Sequence, residues 1–144
     1  MVLPDVNVLI YAHREELAQH AHARAWLDGA ISSDAPYGLS ELVLSAFLRI
    51  VTNPKALAQP TPLDVALATV QRWRTPRNCV VVGPGDRHWG IFTRLCRDAG
   101  AKGNVVADAY LAALAIESGS EWITTDRGFA RFPGLRWRDP LAAA

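Results

Sequence analysis

The sequence predicts an α/β fold, a three-layer α/β/α sandwich around a central, mostly parallel sheet. Short runs rich in β-branched residues alternate with longer stretches of helical periodicity along the whole chain, the pattern of strands paired side by side and covered by helices. Half of the 144 residues are apolar and a fifth are charged, an ordinary globular mixture in a chain long enough to bury a core without disulfides. No repeat, linker or low-complexity tract divides it, so residues 1–144 are expected to form a single domain.

The elements follow in order. Val2 to Ile10 is apolar and β-branched and reads as a first strand, with Pro4 tolerable only at an edge or irregular position. In an extended segment Asp5 and Asn7 would point to one side, delivering a carboxylate and an amide together. Glu15 to Leu27 has amphipathic spacing and should end by Gly29. Tyr37 to Leu39 reads as a short strand, after which Ser40 is an N-cap for a helix that begins at Glu41 and halts at Asn53-Pro54.

Thr61-Pro62-Leu63-Asp64 combines a capping hydroxyl, Pro at the first helical position and an early acid, a helix start leading into VALATVQRWR. Cys79 to Val82 reads as a buried strand ended by Gly83-Pro84-Gly85, and Asp86 as the cap of the next helix. Asn104 is the expected cap of an Ala- and Leu-rich helix closed by Gly119. A strand over Glu121 to Thr125, a turn at RGFARF and a last strand around Leu135 to Arg138 complete the chain.

Several function classes drop out on composition. The apolar runs fall short of the ~20 residues that cross a bilayer, and MVLPDVNV has no basic leader, so neither a membrane span nor a secretory signal is expected and the protein is placed in the cytoplasm. Cys79 and Cys96 lack metal-ligand spacing and read as small apolar side chains. The net charge of +1 does not mark the whole molecule as a polyanion binder. Thirteen of the 15 basic residues are Arg, which suits phosphate contacts, although a GC-rich genome would leave the same bias.

Four acids stand out against this background: Asp5, Glu41, Asp108 and Asp126 each interrupt or close a hydrophobic stretch. Singly, each has a bland explanation as a cap, a dipole partner or a turn residue. Asp108 is the hardest to dismiss, because on a helix it shares the sheet-facing side with Leu111, Ala112 and Ala115 and has no base within helical reach. Together they are more telling. In α/β sheets, sites form beyond the carboxyl ends of strands, where Asp5 and Asp126 fall and where helices can add Glu41 and Asp108. Several desolvated carboxylates repel one another unless a cation neutralises them, and an all-oxygen set selects Mg²⁺ or Mn²⁺ over Zn²⁺.

The segments DVNVLIYAH, LSELVLSAFLRIVTNP, GNVVADAYLAALAIESG and ITTDRGFARFPGLRW resemble, in order, the motif blocks of PIN-domain ribonucleases, and more narrowly the VapC toxins of bacterial toxin–antitoxin pairs. That resemblance implies a PIN-like sandwich and a Mg²⁺- or Mn²⁺-dependent endoribonuclease acting on RNA such as tRNA or rRNA. It also implies products with a 5′-phosphate and a 3′-hydroxyl, a homodimer, and neutralisation by a VapB antitoxin. Position by position, it makes Asp5, Glu41, Asp108 and Asp126 the catalytic, metal-binding quartet and Asn7 and Thr124 its polar accessories. Many relatives carry another acid two residues after the fourth; here that position is Gly128, which opens the question of one metal or two.

An acidic pocket repels RNA, so phosphate contacts are expected from its rim: Arg72, Arg74 and Arg77, Arg87 with His88 and Trp89, and Arg127 with Arg131. Trp73 and Trp89 could stack on unpaired bases or belong to the core. His13 is a weaker RNA candidate, and His20 and His22 read as surface. For an antitoxin helix, Trp26, Leu27, Leu44 and Phe47 could line a groove or be internal core. Two other readings compete. A catalytically silent PIN-like binding module would gain little from four repelling acids. A haloacid dehalogenase-like phosphatase would need an Asp where Asn7 stands and a suitable Lys, and only Lys55 and Lys102 exist.

Overall fold

In a computed structural model that describes residues 1–142, five parallel strands form one sheet in the order β3-β2-β1-β4-β5. The strands are β1 (Val2–Pro4), β2 (Tyr37–Ser40), β3 (Cys79–Val82), β4 (Glu121–Ile123) and β5 (Trp137–Arg138). The helices are α1 (Val6–His13), α2 (His20–Ser32), α3 (Glu41–Val51), α4 (Leu63–Arg74), α5 (His88–Ala99) and α6 (Asn104–Glu117). A 3₁₀ turn spans Arg127–Arg131. The sheet is parallel throughout and helix-covered, as the alternation of elements predicts.

The strand order reverses at β1, which is flanked by β2 on one side and β4 on the other. Pro4 pairs with Ile123, so the next residues, Asp5 and Thr124, leave the sheet side by side. A reversal of this kind opens a crevice beyond the strand ends. Leu3, Leu39, Trp122 and Ile123 from the strands, Phe47 from α3, and Ala109, Ala112, Ala113 and Ala115 from α6 are fully buried around the sheet. The small residues on α6 let that helix lie close to it.

The first strand is shorter than its composition suggests. The chain turns helical at Val6, because the Asp5 carboxylate accepts the Val6 backbone N–H at 2.7 Å and caps α1. An apolar, β-branched run buried on more than one side carries no periodicity that separates strand from helix. Asn7 therefore reaches the site from the first turn of α1 and not from a strand. Pro4 does lie in a central strand, but as its last residue, where a missing N–H interrupts the least pairing.

Other boundaries shift for local reasons. Helix α2 starts at His20, since Arg14 bonds Glu16, Thr61 and the Gln59 carbonyl and holds the preceding segment in turns. It then runs through Gly29 to Ser32, with Leu27 and Ile31 packed on the core. The Thr61 hydroxyl is engaged by His13 and Arg14, and Pro62 takes the cap position of α4. Arg87, not Asp86, precedes α5, and the orphan N–H groups of Gly85 and Arg87 donate to the Glu117 carboxylate at 2.7 and 2.9 Å. Gly103, at φ +60°, caps α6, and Asn104 is its first residue. Strand β4 ends at Ile123, two residues early, and β5 is confined to Trp137–Arg138.

Two burial expectations are corrected. Val80 and Val81 are 41 and 49 % exposed, because β3 is an edge strand. Leu27, Leu44 and Phe47 are buried and serve the core, with only the edge of Leu44 reaching a hollow between α3 and α4. The exposed apolar side chains of α3 and α4 are Leu42, Leu63, Val65 and Leu67. Trp73 is also core, edge-on to Phe47, whereas Trp89 is 68 % exposed. His13 points at Thr61 and Phe47, and His20 bonds the Tyr11 carbonyl. Among the described residues, no helix is long and apolar enough to cross a membrane.

Candidate active site

Asp5 stands where β1 gives way to α1, only 5 % exposed, and hydrogen bonds fix both of its oxygens. Oδ1 accepts the Val6 N–H, while Oδ2 accepts the Thr124 hydroxyl at 2.7 Å and an N–H of the Asn7 amide at 3.2 Å. The same Asn7 nitrogen donates to Thr124 Oγ1 at 3.2 Å, and Asn7 Oδ1 accepts the Thr125 N–H at 3.3 Å. Thr124 Oγ1 in turn accepts the Asp126 N–H at 3.0 Å. Asn7 and Thr124 thus tie together the carboxyl ends of β1 and β4, and the path of both backbones is set by one carboxylate.

Asp108, on the second turn of α6, and Asp126, just past β4, face the same space. With Asp5 and Asn7 they line one end of a pocket of about 790 Å³. Its other walls are largely apolar: Leu42, Val43, Ala46 and Ile50 from α3, Phe92 from α5, and Val106, Tyr110 and Leu111 from α6. Asp126 also accepts the Gly128 N–H at 2.8 Å, which starts the 3₁₀ turn. The pocket opens at the crevice that the strand order creates, where an α/β sheet ordinarily binds its ligand.

Burial governs the electrostatics of Asp5 and Asp108, with smaller repulsions from neighbouring acids. Burial pushes the Asp5 carboxyl up to about 6, against the pull of its Thr124 and Val6 hydrogen bonds, and the charges of Asp108 and Asp126 add to the rise. Burial also raises Asp108, helped by Asp126 and opposed by the Arg131 guanidinium. A carboxyl raised on folding favours the folded state in its neutral form. That advantage is complete below pH ~4 and is lost as pH rises through about 6. Between pH 4 and 7, Asp5 should therefore remove roughly 3 kcal/mol of stability from the metal-free protein. Urea denaturation in EDTA across this range checks it: Asp5→Asn should flatten the pH slope, and an unchanged slope would refute the assignment.

The structure does not bring Glu41 into this cluster. Glu41 is exposed at the start of α3, pairs with Arg74 at 3.1 Å and lines a separate hollow between α3 and α4 with Leu44, Leu48, Leu67 and Gln71. The pocket-facing positions of α3 are Leu42, Val43, Ala46, Arg49 and Ile50, beginning with the residue after Glu41, and none is acidic. The sequence identifies the helix but not the face that its first residue takes.

The expected phosphate-binding residues also divide. Arg74 is engaged by Glu41, and Arg72 lies on α4 in a different depression, beside His13 and Trp73. Arg87 donates to the Glu117 carbonyl at 3.1 Å, and neither it nor Arg127 nor Arg131 lines the acid pocket, although Arg131 stands close to Asp126 across Gly128. Arg49, which does line it, was not singled out among the Arg residues. Its spacing of seven from Leu42 puts both on one helical face and could have marked it.

The donor set fits a hard divalent cation. Asp5, Asp108, Asp126 and the Asn7 amide present oxygen atoms, and no Cys or His lines the pocket. Among the described residues no three acidic, His or Cys side chains close tightly enough to enclose an ion by themselves. An ion held here would complete its shell with water or substrate oxygens.

The PIN-domain family model matches residues 2–135. Ribonuclease VapC43 of Mycobacterium tuberculosis is 45% identical over 141 residues, covering 98% of this chain and 96% of that protein. Ribonuclease VapC33 of the same species is 37% identical over 141 residues, covering 98% and 99%. Among solved structures, VapBC2 from Rickettsia felis, bound to a DNA fragment from its promoter, superposes with a TM-score of 0.70 at 14% identity, covering 96% of this chain and 98% of that one. Mycobacterium tuberculosis VapC20, described as a sarcin–ricin loop cleaving toxin, gives 0.64 at 17% identity, covering 94% and 99%. The structural matches speak for the fold and the sequence matches for descent: the chain belongs to the PIN-domain family, in its VapC branch.

Proposed function

We propose that residues 1–144 act as a single-domain, Mg²⁺- or Mn²⁺-dependent endoribonuclease toxin of the VapC type, held inactive in the cytoplasm by a VapB-type antitoxin. The observation that carries this reading is the convergence of Asp5, Asp108 and Asp126 on one pocket at the reversal of the sheet. The named activities of its relatives, ribonucleases at 45 and 37% identity, supply the substrate class. The RNA is taken to be tRNA or rRNA. The exposed Leu42, Leu63, Val65 and Leu67 support association with a second copy and with an antitoxin, as in the VapBC assemblies that share the fold.

In this reading Asp5, Asp108 and Asp126 hold the ion, directly or through its waters. When bound, the ion neutralises charge growing on the phosphate and leaving oxygen and makes an attacking water more acidic. Asp5 is presented in a fixed orientation by Thr124 and Asn7, so little reorganisation is needed when the site loads. Asp108, on a helix packed against the sheet, defines the opposite side. Asp126 lends its second oxygen while the first stays with the Gly128 N–H.

Glu41 has no part in this chemistry. Glu41→Gln should therefore keep RNA cleavage within about threefold of wild type, losing a surface ion pair of at most ~1 kcal/mol. Initial rates on one RNA substrate check it, and a loss comparable to that of Asp108→Asn would return Glu41 to the site. The reading as a whole is tested by incubating purified protein with small structured RNAs, with and without Mg²⁺ or Mn²⁺. Cleavage that needs the metal supports it, and no cleavage of any RNA in either metal defeats it.

A further inference from the structure

Arg131 lies beside Asp126, at the edge of the acid cluster. Its Nε donates to the Gly128 carbonyl at 2.8 Å, across the 3₁₀ turn that Asp126 caps. A Cβ on Gly128 would stand 3.0 Å from Asp126 Oδ1 and 3.1 Å from Arg131 Nη2. The guanidinium and the Asp126 carboxylate therefore flank one bare backbone position, where a side chain would press on both. Among the described residues, neither Nη1 nor Nη2 of Arg131 has a hydrogen-bond or ion-pair partner.

Most of the other Arg side chains with fixed positions are spent. Arg14 holds Glu16, Thr61 and Gln59; Arg74 holds Glu41; Arg87 and Arg136 hold main-chain carbonyls; Arg138 holds Glu121. Arg49 lines the pocket without a recorded anchor, while Arg131 combines an anchored Nε and a free planar fork with a position beside Asp126, and Asp108 feels its charge. Such a fork matches two oxygens of a phosphate. A polyanion approaching a pocket of carboxylates needs a cation of this kind at its side.

We propose that Arg131, seated on the bare backbone of Gly128 beside Asp126, binds a backbone phosphate of the RNA and so positions the strand at the acid pocket. This rests on the ribonuclease reading and adds to it the residue that receives the substrate. The bare position 128 leaves room for the guanidinium, so the chain places an organic cation, anchored through Nε, next to Asp126.

The test is equilibrium binding of a short fluorescein-labelled single-stranded RNA, followed by anisotropy over a range of NaCl. Arg131→Gln and Arg131→Lys are each made in an Asp108→Asn background that prevents cleavage. Arg131→Gln should bind about tenfold more weakly at low salt, and its slope of log affinity against log salt should shrink by about 0.7, one phosphate contact on a single strand. Arg131→Lys should keep the slope and lose only part of the affinity, since an ammonium retains the charge but not the fork. With Asp108 restored, Arg131→Gln should raise KM by about tenfold and leave kcat within about threefold.

Wild-type affinity and slope in Arg131→Gln would overturn the proposal. So would weaker binding at an unchanged slope, which is the mark of a structural role. If the wild-type protein cleaves RNA while Arg131→Gln matches it, this inference fails alone. If the wild-type protein neither binds nor cleaves any RNA, the ribonuclease reading fails and takes this inference with it.

Discussion

Asp5→Asn and Asp108→Asn should each lower metal-dependent RNA cleavage by roughly a thousandfold, a larger loss than the ~10–100-fold that follows removal of groups which only orient a ligand. The two fail for different reasons. Asp5 is buried, with Oδ2 facing the Thr124 hydroxyl and the Asn7 amide, both of which donate to it. An amide there sets its N–H either against those donors or against the Val6 N–H, so either the relay or the cap of α1 loses its acceptor as the site loses its charge. Asp108 is half-buried and raised by burial and by Asp126, and its replacement removes charge without disturbing a hydrogen-bond network. Thr124→Val provides the graded comparison: it deprives Asp5 of one donor and the Asp126 N–H of its acceptor, and should cost about 10–100-fold. Single-turnover cleavage at saturating Mg²⁺, with circular dichroism to confirm folding, checks all three. Asp5→Asn or Asp108→Asn retaining more than about a tenth of wild-type activity would remove that residue from the site.

Trp122→Ala should destabilise the protein by about 4 kcal/mol, the largest effect expected of a single change in the core. Trp122 is fully buried on β4, with its ring 5.4 Å from that of Phe129 in the turn that carries Arg131. It therefore supports the strand that delivers Thr124 and Asp126 as well as the sheet itself. Its indole Nε1–H is buried and has no hydrogen-bond partner among the described residues. Leaving such a donor unsatisfied costs on the order of 1–3 kcal/mol, so part of what the ring contributes is already cancelled. Trp122→Phe loses some packing but also removes that N–H, and should cost less than about 1.5 kcal/mol. Urea denaturation of the three proteins decides the matter. Equal destabilisation by Ala and Phe would mean that the N–H finds a partner, such as a buried water, and that ring volume is not what matters.

The sequence makes the site legible unevenly, and particular residues show why. Asp5, Asp108 and Asp126 stand out because each puts a carboxylate in an apolar stretch, and the structure gathers all three at one pocket. Asn7 is picked out correctly for a wrong reason: it reaches Asp5 from a helical turn, where the strand-like run Val2 to Ile10 suggested alternation. Glu41 looks like its partners in sequence yet turns to Arg74, which lies 33 positions away and comes alongside only when α3 packs against α4. Leu27, Leu44 and Phe47 could equally line a groove or fill a core until the helices are laid on the sheet.

What the sequence by itself determined is local and periodic. Alternating strand and helix patterns give the parallel sandwich, turn residues give most element limits to within a few positions, and acids set among apolar residues mark a place where charge is held against its solvation cost. What only the tertiary structure decided depends on contacts between distant segments. The strand order β3-β2-β1-β4-β5 puts Asp5 beside Thr124, and the rotation of α3 directs Glu41 outward and Ala46 and Arg49 inward. The bare Gly128 admits the Arg131 guanidinium next to Asp126. The physical reason is the same in each case. Burial and hydrogen bonding are properties of the packed chain, so a side chain's charge can be read from sequence, but the group it will face cannot.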